Sequence, residues 1–195
     1  PVRKRPGMYI GGTDETAYHH LANEILDNSI DEAVAGHAKT ISVKLINKST
    51  ITISDDGRGI PIDKHPKKKK TALEVVMTTL HSGGKFNNNI YKSSAGLHGV
   101  GLSVVNALSS KLNIRITKNA KVFNQDYSKG KILNKLKLKG KNKIKSGTQI
   151  TFTPDPEIFG KELSFNPEKI YELSKNKAYL QKGVKINWEC SRNLL

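Results

Sequence analysis

The stretch TAYHHLANEILDNSIDEAVAG, residues 16–36, carries two patterns at once. Leu21, Ile25, Leu26, Ile30 and Val34 recur at helical spacing, which predicts one long amphipathic helix, and Gly36 supplies its C-terminal stop. His20, Glu24 and Asn28 recur at i, i+4, i+8 and therefore share a second face, with Asp27 and Asp31 beside them. A helix packed on a sheet ordinarily turns such groups to water. Read chemically, the same row stacks a carboxylate, an imidazole able to orient it, and a neutral amide oxygen suited to Mg2+. The helix alone leaves both readings open.

Downstream, Ile41, Val43 and Leu45 alternate with polar residues, residues 47–49 make a turn, and Ile51 and Ile53 alternate again, so a hairpin follows. Its second strand runs into DDGRGIP, residues 55–61. Two carboxylates with Gly57 and Gly59 describe an ordinary turn. Yet Gly59, Ile60 and Pro61 also let a flat ligand approach the backbone between apolar walls, and a buried carboxylate there accepts a hydrogen bond from an exocyclic amine. That chemistry suits adenine.

Residues 72–80 have helical periodicity, and residues 82–94 form a Gly-, Asn- and Ser-rich loop. GLHGVG (Gly96, Leu97, His98, Gly99, Val100, Gly101) opens an apolar helix over residues 102–108. The spacing is neither that of a P-loop nor that of a dinucleotide fingerprint. Backbone N–H groups at a glycine-opened helix start nevertheless bind phosphate by the same physics, and Lys85 in the preceding GGKF adds a cation. Alternation over residues 112–152 predicts three or four strands with lysines on the wet face. Pro167 then opens a helix running to Leu180, and residues 184–188 read as a last strand. No repeat or linker interrupts, so residues 1–195 read as one α/β domain.

Composition narrows the class further. The chain holds 33 Lys+Arg against 17 Asp+Glu, a formal charge of +16, and 36% hydrophobic residues. One cysteine, Cys190, excludes a disulfide framework and a four-thiolate zinc site. No window approaches 18 consecutive apolar residues, and the basic start has no apolar signal core, so a cytoplasmic protein with no membrane partner is expected. The charge suggests a polyanion. Its make-up weakens that inference: 28 of the 33 basic residues are Lys, which A/T-rich coding also produces, whereas base recognition and phosphate clamps favour Arg. Most of this charge is therefore read as solvated lysine on loops and strand faces.

Taken in order, PVRKRPGMYIG at the start, EILDNSIDEA (24–33), DDGRGIP (55–61), HSGGKF (81–86), SAGLHGVGLSVVNALS (94–109) and SGT (146–148) resemble the N-terminal ATPase domain of bacterial type IIA topoisomerase B subunits. The resemblance covers nearly the whole chain. EILDNSIDEAVAGHAK and KAYLQKGV look more like the topoisomerase IV B subunit, whereas Ile60 leans toward the DNA gyrase B subunit. Topoisomerase IV is the preferred member and gyrase the alternative. The opening motif and HSGGKF argue against a mismatch-repair ATPase, and a non-enzymatic basic nucleic-acid-binding module has only the charge in its favour.

The resemblance implies an α/β two-layer sandwich of the GHKL type, a mixed, mostly antiparallel sheet covered by helices on one face. It implies ATP and Mg2+ as cofactors. Glu24 would be the general base, His20 would hold its carboxylate, and Asn28 would bind Mg2+. Asp55 would take the adenine amino hydrogen bond, helped by a water that Gly59 and Thr148 share, while Ile25, Ile53, Ile60, Pro61, Val76 and Ile150 line the pocket. Lys85, Tyr91 and the 96–101 backbone would lie on the phosphates, and Arg58 would pair with Glu32 and stack beside the base.

Partners implied are the topoisomerase A subunit in an A2B2 assembly, a DNA duplex, a second copy of the B subunit on ATP binding, and aminocoumarin-type inhibitors. Many family members carry Arg at the pocket rim where this chain has Lys118, which predicts weaker aminocoumarin binding. The chain begins with Pro and is read as a fragment without the N-terminal arm, transducer and TOPRIM domains. Alone it is expected to bind ATP with little turnover and to remain monomeric.

Overall fold

The computed structural model describes residues 1–64, 69–80 and 100–194. A 3-10 turn at Val2–Lys4 and a one-turn helix α1 (Gly7–Ile10) lead into α2 (Glu15–Val34), whose first turn is capped by the Asp14 carboxylate accepting from the Ala17 N–H at 2.9 Å. Strands β1 (Thr40–Asn47) and β2 (Thr50–Asp55) form the expected hairpin. Helix α3 (Ala72–Thr78) starts with a capping box between Thr71 and Glu74. Helix α4 (Gly101–Ala107) follows, then β3 (Ser109–Lys118), β4 (Lys121–Ser128), β5 (Lys131–Ile132), β6 (Lys137–Lys141) and β7 (Gly147–Pro154). The short α5 (Pro156–Phe159), α6 (Pro167–Leu180) and β8 (Lys185–Cys190) complete the domain.

The described strands form a single sheet in the order β5-β4-β3-β7-β2-β1-β8, with β6 also on β4. Every pairing is antiparallel except β1 with β8, so the sheet is mixed and mostly antiparallel. Helix α2 lies over β1, β2 and β7, α4 beside it reaches β3 and β4, and α6 flanks α2 and reaches β8. Alternation along β2 and β7 turns Ile51, Ile53, Ile150 and Phe152 into the core under these helices. Leu21, Ile25, Leu26 and Ile30 meet them from α2, and burial of each such side chain contributes about 1.5–3 kcal/mol. The opposite sheet face is polar, with Thr50 to Thr153 at 2.9 Å, Thr52 to Thr151 at 2.8 Å and Lys44 to Glu189 at 2.9 Å.

Residues 109–154 hold five strands where alternation predicts three or four. The difference lies in β5, two residues long, and β6, all five of whose residues are exposed, so neither carries the apolar face that pattern reading detects. Strand β8 runs to Cys190 because it follows β1 in parallel register as far as Leu45 opposite Cys190.

Candidate active site

One helix supplies the polar row of the site. On α2, His20 Nε2 and Glu24 Oε1 are 3.0 Å apart, and this hydrogen bond raises the His20 pKa against the opposing effect of partial burial. Glu24 faces the start of α4, where a Cβ on Gly101 would overlap Glu24 Oε2. A side chain at position 101 would therefore push the Glu24 carboxylate aside. Asn28, one turn further along, is half-buried and its side chain makes no hydrogen bond among the described residues. The neighbouring acid Asp27 is engaged elsewhere: it accepts from Asn23 Nδ2 at 2.9 Å and from Lys177 of α6 at 2.5 Å. Within the polar stripe, then, Asp27 ties α2 to α6 while His20, Glu24 and Asn28 stand clear.

The DDGRGIP turn divides its two carboxylates. Asp56 Oδ1 accepts from the Lys39 and Thr40 N–H groups at 2.7 and 2.9 Å and closes the start of β1. Asp55 is 8% exposed at the end of β2 and accepts from Ser29 Oγ and the Gly57 N–H, both at 3.0 Å. Burial lifts its pKa to about 6, against the lowering effect of those two donors. A Cβ on Gly57 would lie 2.8 Å from Glu32 Oε2 and 2.9 Å from Asp55 Oδ1. Gly59 has φ +74° and packs against the Thr117 and Gly147 carbonyls, a left-handed conformation that favours glycine.

Buried Glu32 receives Arg58 in three hydrogen bonds, from its N–H at 3.1 Å, Nε at 3.2 Å and Nη2 at 2.7 Å. Burial pushes the Glu32 pKa up, but the Arg58 hydrogen bonds outweigh it and hold the carboxyl below its ordinary value. Thr148, opposite Asp55 in the β2–β7 register, accepts from the Ile60 N–H at 3.3 Å. Ile53 and Ile150 are buried beneath, while Ile60, Pro61 and Val76 are half-buried above. Lys118 ends β3 next to Thr117, whose carbonyl touches the Gly59 position.

The structure thus brings together His20, Glu24, Asn28, Asp55, Arg58, Gly59, Ile60, Pro61, Thr148, Ile150, Val100 and Gly101 around the α2 face and the β2 turn, with Val76 packed on the same core. Lys85, Tyr91, Gly96, Leu97, His98 and Gly99 lie outside the described residues. For a divalent cation, the described residues contain no group of three His, Cys, Asp or Glu able to hold one. A free amide oxygen on Asn28 fits a hard cation such as Mg2+ that takes its other ligands from phosphates and water.

A residue that sequence reasoning passed over is His19. Its Nδ1 donates to the Glu15 carbonyl at 2.8 Å and its Nε2 accepts from the Asn166 N–H at 2.8 Å. Asn166 is the N-cap of α6, so this imidazole fastens α2 to α6. Adjacent histidines therefore do unlike jobs, and nothing in local periodicity distinguishes them.

The chain matches the family described as Histidine kinase-, DNA gyrase B-, and HSP90-like ATPase over residues 13–158. It belongs to that ATPase family. Among individual relatives, it is 61% identical over 191 residues to the B subunit of DNA topoisomerase 4 from Rickettsia felis, and 47% identical to the B subunit of DNA gyrase from Campylobacter jejuni. These alignments cover 97% and 98% of this chain but only 29% and 25% of the relatives, so the chain spans less than a third of their length. The 43K ATPase domain of Thermus thermophilus gyrase B, solved in complex with an aminocoumarin, superposes with a TM-score of 0.85 at 43% identity, covering 97% of this chain and 47% of that one. The GHKL-type ATPase fold expected from the motifs is the fold observed.

Proposed function

We propose that this ATPase-family chain is the ATP-binding and hydrolysing domain of a type IIA DNA topoisomerase, carried on its B subunit, and specifically of topoisomerase IV. The observation that carries the ATPase chemistry is that one helix, α2, holds both the His20–Glu24 pair and Ser29, the residue that hydrogen-bonds Asp55. The proposed base for water is thereby carried, and the proposed acceptor for an exocyclic amine braced, by one rigid element. Topoisomerase IV is preferred because the identity to its B subunit, 61%, exceeds that to the gyrase B subunit, 47%.

In this reading Asp55 accepts from the adenine amino group, Ile60 and Ile150 pack on the ring, and Gly59 lets the base approach the backbone. Arg58, held by Glu32, flanks the base. Asn28 would hold Mg2+, which would supply charge stabilisation for the phosphates. Glu24 orients and deprotonates the attacking water while His20 holds the carboxylate. Lys85, Tyr91 and the 96–101 backbone contact the phosphates. The whole protein works in the cytoplasm at the nucleoid with an A subunit, dimerises through ATP, passes one DNA duplex through another, and is inhibited at this site by aminocoumarins. Residues 1–195 form one domain of that protein.

Calorimetry with a nonhydrolysable ATP analogue and Mg2+ tests the core of the reading. Wild type binds and Asp55→Asn does not; a wild type that binds duplex DNA but no nucleotide leaves the non-enzymatic module in its place. Decatenation against ATP-dependent negative supercoiling by the whole protein with its A subunit separates topoisomerase IV from gyrase.

A further inference from the structure

Between Tyr127 and Pro154 the chain has no Asp or Glu, and residues 129–145 contain eight lysines. Lys129 is paired with Glu157 at 2.6 Å. The other seven, Lys131, Lys135, Lys137, Lys139, Lys141, Lys143 and Lys145, are exposed, and none makes an ion pair among the described residues. Three of them, Lys137, Lys139 and Lys141, lie on β6, the fully exposed strand that among the described residues pairs with β4.

Pairing makes the crowding sharper. Lys141 lies opposite Lys121 across β6 and β4, and Lys121 lies opposite Lys118 across β4 and β3. Like charges directly opposite destabilise a sheet, and neighbouring strands are only about 4.8 Å apart. Lysine on an edge strand guards against aggregation. One or two serve that purpose, whereas a like-charge row across three strands calls for an anion.

We propose that β6 and the Lys118–Lys121–Lys141 row form a docking surface for the phosphate backbone of duplex DNA. The choice of DNA rests on the topoisomerase reading; the choice of backbone rests on the surface itself. Residues 128–151 contain no aromatic side chain on which a base would stack, so single-strand binding by stacking has no platform here. Ammonium groups are point charges that neutralise phosphates without reading bases.

The test is fluorescence anisotropy of a labelled duplex with the 195-residue chain across a salt series. Each lost phosphate contact lowers the slope of log affinity against log salt by about 0.9. The triple variant Lys137→Gln, Lys139→Gln, Lys141→Gln should lose about 2.7 from that slope and at least tenfold in affinity at low salt. Lys139→Gln alone should lose about 0.9. A control of equal charge loss, Lys48→Gln, Lys182→Gln, Lys185→Gln, should change affinity less than threefold. Equal effects of the two triple variants, an unchanged slope, or displacement of the duplex by polyglutamate at equal charge overturns the proposal. Affinity for a nonhydrolysable ATP analogue, followed in the same samples, reports on folding and on the ATPase reading separately: it stays constant across all variants even where duplex binding is lost.

Discussion

The Glu24 carboxylate lies against the α-carbon of Gly101, in space that any side chain at position 101 would occupy. Gly101→Ala therefore displaces the proposed base without altering its chemistry. A positioned base contributes about 10²- to 10⁴-fold. Steady-state ATPase assays of the whole protein carrying this exchange should show kcat lowered at least tenfold, with analogue affinity within about threefold of wild type. A kcat unchanged by the added methyl group removes Glu24 from that role.

The proposed adenine contact of Asp55 gives nucleotide binding an acid limb. The amine contact needs the carboxylate, whose folded pKa is about 6, so affinity for the ATP analogue should fall as pH drops through 6 and be about tenfold weaker at pH 5 than at pH 8. Stability of the free protein runs the other way. The folded state holds this proton more tightly than the unfolded chain, so burying the charge costs stability as pH rises from about 4 to 6. Asp55→Asn should abolish binding yet leave Tm at pH 8 equal to or above wild type. Calorimetric titration and thermal unfolding at both pH values check the pair of effects.

The Glu32–Arg58 pair carries the opposite sign. Its depressed carboxyl contributes stability that is present above the ordinary carboxylate range and lost as pH falls through the folded value. Arg58→Ala strands a carboxylate that is 8% exposed, and with Arg58 itself one-third exposed the loss should be about 2–3 kcal/mol, seen as Tm lowered by roughly 5–10 °C.

His19→Ala removes the bridge between Glu15 and Asn166 and should cost about 1–3 kcal/mol. Faster hydrogen exchange in the first turn of α6, with analogue affinity kept within threefold, is the expected signature. Equal loss of nucleotide binding places His19 in the site rather than in the frame.

Lys118→Arg restores the planar fork at the rim and should tighten aminocoumarin binding severalfold while leaving the ATP analogue unaffected. Competition titration of both ligands decides it.

Much of the site was legible because its parts are local. His20, Glu24 and Asn28 share a helical face, and a strand ending in DDGRGIP announces a carboxylate followed by backbone with room beside it. What stayed hidden depends on distant partners: His19 meets Asn166 147 residues on, and Asp27 meets Lys177 150 residues on. Periodicity marks a face without saying which of its polar groups will be claimed by another element. Strand β6 misleads for a different reason: Lys and Leu alternate along residues 135–139, yet Leu138 is exposed, so the alternation marks no buried face. The lysine surplus, which composition leaves as a surface property, becomes positional only when register puts Lys118, Lys121 and Lys141 in one row.

Because Glu24 and Ser29 are five residues apart on α2, about 7.5 Å of helix axis separates the proposed base from the group that braces Asp55. The bar joining them is clamped to α6 at both His19 and Asp27. In the proposed reading, base recognition and water activation are consequently registered to one another like two marks on a single ruler. Any motion that tilts α2 on gaining or losing nucleotide shifts both marks together and pulls α6 with them.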